Sequence, residues 1–149
     1  MKVFRILVDA DLILDALINR HKLTEDVREL LDGVHPSIKL YLTDIGWQKI
    51  AAYTSRLQNS QIAEIVIDWL REKIHICIVD QQILQLARSL PLRDFESAVE
   101  LVCVSDQLLD AIVTHTPENF VEAPNQLWVW SVGDLWLRAD LERQLQKCL

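Results

Sequence analysis

Glycine and proline are scarce in this 149-residue chain, with 3 and 4 copies respectively. That scarcity excludes Gly-rich phosphate loops and Pro- or Gly-rich linkers, so residues 1–149 are expected to form one compact domain. Cysteine is as rare: Cys77, Cys103 and Cys148 are an odd, widely spaced set without a CxxC pair, which excludes a disulfide framework and a zinc knuckle. A cytoplasmic location suits such thiols. No apolar run reaches the roughly 18 residues that a membrane span needs, and the strand after Lys2 and Arg5 is too short for the core of a signal peptide. No membrane association is expected. Lysine and arginine form no run, and with a formal charge of −7 and a pI of about 5.0 the chain lacks the electrostatic footprint of tight, nonspecific nucleic-acid binding.

What the chain has is apolar residues, 50% of the total, ample for the core of one domain. Strand-like runs at 3–8, 38–42, 74–79, 110–113 and 127–130 are each followed by a segment with helical spacing, and that alternation predicts a parallel sheet covered by helices on both faces. Val27, Leu30, Leu31 and Val34 make one inward stripe after Thr24; Ile62, Ile65, Val66, Trp69 and Leu70 make another. Asp80 is placed to cap a helix carrying Ile83, Leu86, Ala87 and Leu90 that Pro91 stops. Asp94 is placed to cap the next, with Phe95, Ala98, Val99 and Val102 inward. Ser131 and Asp134 read as a capping box for a last helix bearing Leu137, Leu141 and Leu145. Among the tryptophans, Trp69 lies in a core stripe, Trp47 follows a strand end, and Trp128 and Trp130 share one strand face by period-two geometry. Trp136 suits either core or an exposed patch.

The chemistry concentrates at the first strand-to-helix junction, where an apolar run ends in Asp9 and Asp11. Ligands bind at the carboxyl ends of strands in open α/β sheets, and close carboxylates there need a metal, a cation or helix-end N–H groups. The simpler reading makes Asp11 the N-cap of a helix beginning at Leu12.

Three segments in order resemble the PIN domain family, the metal-dependent nuclease fold of VapC-type toxins in type II toxin–antitoxin pairs. Leu7-Val8-Asp9-Ala10-Asp11 resembles the family's opening strand with its D-x-N or D-x-D. The stretch from Leu42 through Thr43, Asp44 and Lys49 to Ile50 resembles the helix start that normally carries a glutamate. Asp94-Phe95-Glu96-Ser97-Ala98, followed by Ala111 through Thr114-His115-Thr116 to Phe120, resembles the family's "DFEDA … IVTRNPxxF". The resemblance covers nearly the whole chain. It implies a three-layer α/β/α sandwich with a central parallel sheet of about five strands, and acids that converge on Mg²⁺ or Mn²⁺ to cut RNA.

The departures bear on activity. Asp9 stands at the opening aspartate, whereas the glutamate position falls on Lys49, or on Gln48 if the register shifts by one. The helix aspartate falls on Ser97 and the acid or amide of "TRN" on Thr116. Asp9 and Asp11 alone make a weak metal site, with Asp9 its one retained ligand, and an ammonium at Lys49 repels a metal while balancing the acids. Asp44, Asp94 and Glu96 are candidate substitute ligands, although Asp44 and Asp94 also suit helix caps. Asp15 points either to the cleft or to solvent. His115 is the one histidine beside the expected cleft, suited to a base or ligand role or else exposed in the place of the family's arginine; His21, His35 and His75 lack ligand spacing. Thr114 and Thr116 suit either a phosphate oxygen or loop capping.

The resulting expectation is a PIN-like protein with a decayed nuclease centre, no cofactor, and a binding or regulatory role. The alternative is an active VapC-type endoribonuclease with Mg²⁺ or Mn²⁺ on Asp9, Asp11 and one of Asp44, Asp94 or Glu96, and only that alternative makes RNA a partner. A third reading is an unrelated doubly wound domain. A homodimer is expected from the apolar surplus, with helices near residues 24–33 and 60–72 as candidate interfaces, and an antitoxin-like protein is a further partner.

Overall fold

The computed structural model describes residues 2–18, 24–33, 35–56 and 60–148. Their five strands form one parallel sheet: β1 (Phe4–Val8), β2 (Ile38–Thr43), β3 (Ile74–Cys77), β4 (Ala111–Val113) and β5 (Val129–Trp130), in the order β3-β2-β1-β4-β5. β1 pairs with both β2 and β4. The winding direction therefore reverses between β1 and β4, which opens a crevice at their C-terminal ends.

Among the described residues seven α-helices accompany the strands: α1 (Ala10–Ile18), α2 (Glu25–Asp32), α3 (Asp44–Thr54), α4 (Ser60–Lys73), α5 (Gln81–Arg88), α6 (Phe95–Asp106) and α7 (Val132–Lys147). On one sheet face Ile6, Val8, Leu40, Leu42 and Val113 pack with Leu12, Leu30, Ile50, Leu70 and Leu135 from α1, α2, α3, α4 and α7. On the other, Leu7 and Ile112 pack with Ile83 and Ala87 of α5 and the apolar run of α6. Alternate residues of one strand thus feed two cores, which is why central strands read as unbroken apolar runs. The three-layer α/β/α sandwich with its five-stranded parallel sheet is present as expected.

Several local expectations are corrected. Asp11 is not the N-cap of α1: the helix begins at Ala10, and Asp9 accepts the Asp11 N–H at 3.0 Å through Oδ1. The last strand is two residues long rather than four, because Asn125 accepts the Leu127 N–H at 3.0 Å and coils Gln126–Trp128 into a 3₁₀ turn. Trp128 and Trp130 consequently pack into opposite cores instead of sharing a face. Ile65, Leu86 and Phe95 are exposed, not inward: Ile65 and Leu86 fall at the outer edge of their helix stripes, and Phe95 is the first residue of its helix. His21, Val34 and the side chains of Ile62 and Val66 lie outside the described residues. Asp80 caps α5 as expected, accepting the Ile83 N–H at 2.9 Å.

The Ser131 capping box forms completely: Ser131 Oγ accepts the Asp134 N–H and Asp134 Oδ2 accepts the Ser131 N–H, both at 3.0 Å. Two orphan donors of α7 are satisfied at once. Ser131→Ala is expected to cost about 1 kcal/mol, a fall of about 2–4 °C in melting temperature for a domain of this size. A calorimetric melt unchanged within 1 °C contradicts that role for the cap.

Candidate functional site

The crevice at the ends of β1 and β4 is built from carboxylates. Asp9, at the end of β1, is buried; its backbone N–H continues the sheet by donating to Val113 at 3.0 Å. Its Oδ1 accepts the Asp11 N–H, and its Oδ2 accepts the Thr114 hydroxyl at 2.7 Å. Burial raises the Asp9 carboxyl above its ordinary pKa, partly offset by the Thr114 hydrogen bond. Asp11 sits in the first turn of α1, half-exposed.

From the β2 side, Thr43 caps α3 by accepting the Gly46 N–H at 2.9 Å. This sets the phase of α3 so that Lys49, in its second turn, reaches the crevice. Gly46 permits the close approach of α3 to α1: a Cβ there would lie 3.2 Å from the Ala10 Cβ and 2.8 Å from a Leu42 methyl. From the other face comes α6, whose first turn carries Glu96 and whose second carries Glu100.

The Lys49 ammonium binds both sides of the cleft. Its Nζ donates to Asp11 Oδ1 at 2.6 Å and to Glu96 Oε2 at 2.8 Å. Partial burial acts to lower the lysine pKa, but the two carboxylates outweigh it and hold the ammonium above its ordinary value. Glu96 is nevertheless raised, first by burial, because one cation is shared and Asp11 and Asp9 also repel its charge. Its Oε1 is buried without a hydrogen-bond partner. Lys49 was expected against Asp9 or Asp11; it takes Asp11 and Glu96.

Glu100 escaped the sequence reading. It is 2% exposed, and its Oε2 accepts the Ala10 N–H at 3.3 Å. Burial, and then the charges of Asp9 and Glu96, push its carboxyl well above the ordinary range. A usable signal was present: Glu100 interrupts the apolar run from Ala98 to Val104 one helical turn after Glu96. An acid in the middle of a core-facing stripe is costly unless it is placed for a purpose.

The remaining candidates are engaged elsewhere. Asp44 accepts the N–H groups of Ile45 at 2.9 Å and Val79 at 3.2 Å, which ties the start of α3 to the exit of β3 rather than pointing into the cleft. Asp94 stands at the N-cap position of α6, and its carboxylate accepts the Ser97 hydroxyl at 2.6 Å. Ser97 is buried. Thr116 Oγ1 lies 3.2 Å from the Thr114 hydroxyl and accepts from Asn119 at 3.2 Å, a loop-closing role. His115 is exposed, 4.0 Å from Asp15.

A divalent ion requires several free anionic oxygens in a shared shell. Here an ammonium already ties Asp11 to Glu96, and among the described residues no group of three or more His, Cys, Asp and Glu is arranged to hold a metal. With Lys49 in this position the donor set does not fit Mg²⁺ or Mn²⁺.

Neither a protein-family model nor a curated protein matches the sequence. Solved structures do match the fold. VapBC2 from Rickettsia felis, bound to a fragment of its promoter DNA, aligns with a TM-score of 0.68 at 11% identity, over 86% of this chain and 98% of that one. VapBC-1 from nontypeable Haemophilus influenzae aligns at 0.67 and 15% identity, over 87% and 99%. FitAcB from Neisseria gonorrhoeae aligns at 0.63 and 18%, over 86% and 98%. The chain has a VapC-type PIN fold.

Two substitutions test the electrostatics of the cleft. Lys49→Met leaves Asp11 and Glu96 without their shared cation, and because the pair is more than one-third exposed the expected loss is about 1–2 kcal/mol rather than the larger cost of a fully buried pair. A urea melt that changes by less than about 0.5 kcal/mol reduces Lys49 to a surface residue. Glu100 has a higher pKa folded than unfolded, so the folded state holds its proton longer and stability is lost as pH rises above the ordinary value of 4.5. Glu100→Gln mimics the protonated acid. Its stability relative to the parent should therefore increase between about pH 5 and pH 8, and an advantage that stays constant with pH contradicts the assignment.

Proposed function

We propose that this chain is a PIN-fold binding module whose nuclease centre has decayed, and that it acts by engaging a protein partner instead of cutting RNA. The observation that carries this reading is the Lys49 ammonium, 2.6 Å from Asp11 and 2.8 Å from Glu96. A cation supplied by the chain stands among the acids that a divalent ion needs. Ser97 and Thr116, which replace two further acids of the resembled family, are spent on local hydrogen bonds.

Charge also argues against RNA in this cleft. Asp9, Asp11 and Glu96 face a single lysine, so the cleft remains anionic even with Glu100 protonated, and a phosphodiester is repelled without a metal to screen it. The partner best supported is a small antitoxin-like protein, since the structures that share this fold are toxin–antitoxin complexes.

One observation favours the second reading, an active Mg²⁺- or Mn²⁺-dependent endoribonuclease. Asp11 and Glu96 do converge on one cation, and Glu96 keeps an unpartnered oxygen beside it. In that reading Asp9, Asp11 and Glu96 would hold the ion in place of the Lys49 ammonium, and the ion would supply an activated water. Asp44 and Asp94 drop out as ligands because their carboxylates are turned to the Val79 N–H and the Ser97 hydroxyl.

Calorimetry with Mg²⁺ and Mn²⁺, paired with hydrolysis of a mixed-sequence RNA, separates the two. Decay predicts no binding tighter than about 1 mM and no metal-dependent cleavage. Tighter binding that Asp9→Asn abolishes, or cleavage that requires the metal, overturns the decayed-site reading.

A further inference from the structure

Away from the carboxylate cleft, a pocket of about 340 Å³ opens where Phe4 begins β1 and Asp110 leads into β4, with α7 as its third side. Its aromatic walls are fixed. Phe4 and Trp130 are 6% and 9% exposed and meet edge to face with ring centroids 6.1 Å apart, and the Trp130 indole donates to the Leu127 carbonyl at 2.8 Å. Leu141 and Leu145, exposed on α7, complete the apolar lining. An apolar pocket with a few convergent polar groups is the usual form of a small-molecule site.

Four charged side chains reach the rim, and they divide into two kinds. Lys2 and Asp110 satisfy each other at 3.0 Å, and Asp110 also accepts the Arg5 N–H at 2.8 Å. Arg138 and Glu142 are left over: among the described residues neither takes part in an ion pair. They stand one helical turn apart, with the cation nearer the N-terminus, the order that favours direct pairing least. The Arg138 guanidinium lies over the Trp130 ring, 4.4 Å from its centroid. Stacking uses the face of the guanidinium and leaves its edge, which carries the N–H donors, for a carboxylate.

We propose that this pocket binds a free α-amino acid with a large apolar side chain. The ligand carboxylate meets Arg138, its ammonium meets Glu142, and its side chain lies against Phe4, Trp130 and the two leucines. Each feature of the pocket disfavours a simpler ligand. An apolar anion is repelled by Glu142, an apolar amine is repelled by Arg138, and a zwitterion without an apolar body leaves the aromatic walls in water. Opposite charges carried on one carbon also suit two helix positions whose Cβ atoms are about 5–6 Å apart. No residue of this pocket belongs to the cleft, so the site stands whether or not the nuclease centre is active.

Titration calorimetry on the full chain tests the site with L-phenylalanine as the probe. A ligand of about a dozen non-hydrogen atoms in an open pocket is expected to bind with a dissociation constant of about 0.1–1 mM. 3-Phenylpropionate, which lacks the ammonium, phenethylamine, which lacks the carboxylate, and glycine, which lacks the side chain, should each bind at least about tenfold more weakly. Arg138→Gln and Glu142→Gln should each weaken phenylalanine about tenfold; neither side chain is in the core, so the fold is expected to survive both. Glu142→Gln should at the same time tighten 3-phenylpropionate, because the repelling charge is gone, a reversal that a merely structural role would not produce. Absence of saturable binding up to about 10 mM phenylalanine overturns the proposal. So does 3-phenylpropionate or phenethylamine binding as tightly as phenylalanine, which makes the pocket a simple anion or amine site, and so does phenylalanine binding that neither variant weakens.

Discussion

One ammonium shared by two carboxylates is the interaction on which the cleft depends. Lys49 links α1 through Asp11 and α6 through Glu96, while itself belonging to α3. These three helices come from both layers that sandwich the sheet, so the contact closes the C-terminal edge where β1 and β4 diverge. A near-contact ion pair at an effective dielectric of about 20 is worth on the order of 4 kcal/mol before desolvation. Exposure of the pair lowers that figure, yet without the lysine the same edge would gather repelling acids and nothing else.

The acids that Lys49 does not reach are stabilised by the backbone. The first N–H groups of α1 have no intrahelical partners, and two of them point at carboxylates: Asp11 N–H at Asp9, and Ala10 N–H at Glu100. The partial positive charge of a helix N-terminus thereby takes part of the place of a cation. Asp9 adds the Thr114 hydroxyl, and burial raises the Glu100 carboxyl well above its ordinary pKa. The cleft is an acidic cluster partly compensated from within, by a lysine and a helix end.

Lys49 and the start of α1 hold the acids of the cleft within the fold, whereas Leu137, Leu141 and Leu145 on the outer face of α7 leave apolar surface whose burial is favourable at about 25 cal/mol per Å².

Much of the architecture was legible along the chain because it rests on local patterns. Alternation of apolar runs with helical stripes specified the parallel sheet, Ser131 and Asp134 specified their cap, and Asp9 at the end of an apolar strand marked the functional edge. Motif spacing singled out Lys49, Ser97 and Thr116 as departures. Failures came where a residue's partner is distant in sequence. Asp44 and Asp94 looked like possible ligands, and only the approach of Val79 and the turn to Ser97 showed them occupied. Glu100 was overlooked because its meaning depends on α6 lying against the start of α1, ninety positions earlier. The leucines of α7 have core spacing, but a helix has more than one side, and Leu135 and Ala139 took the inner one. The sequence by itself determined the elements and the inventory of charge, since periodicity and capping act within a few residues. Which acid meets which cation, and which apolar stripe is left outside, was decided by the tertiary structure alone, because those outcomes depend on distances between segments that only the packed sheet brings together.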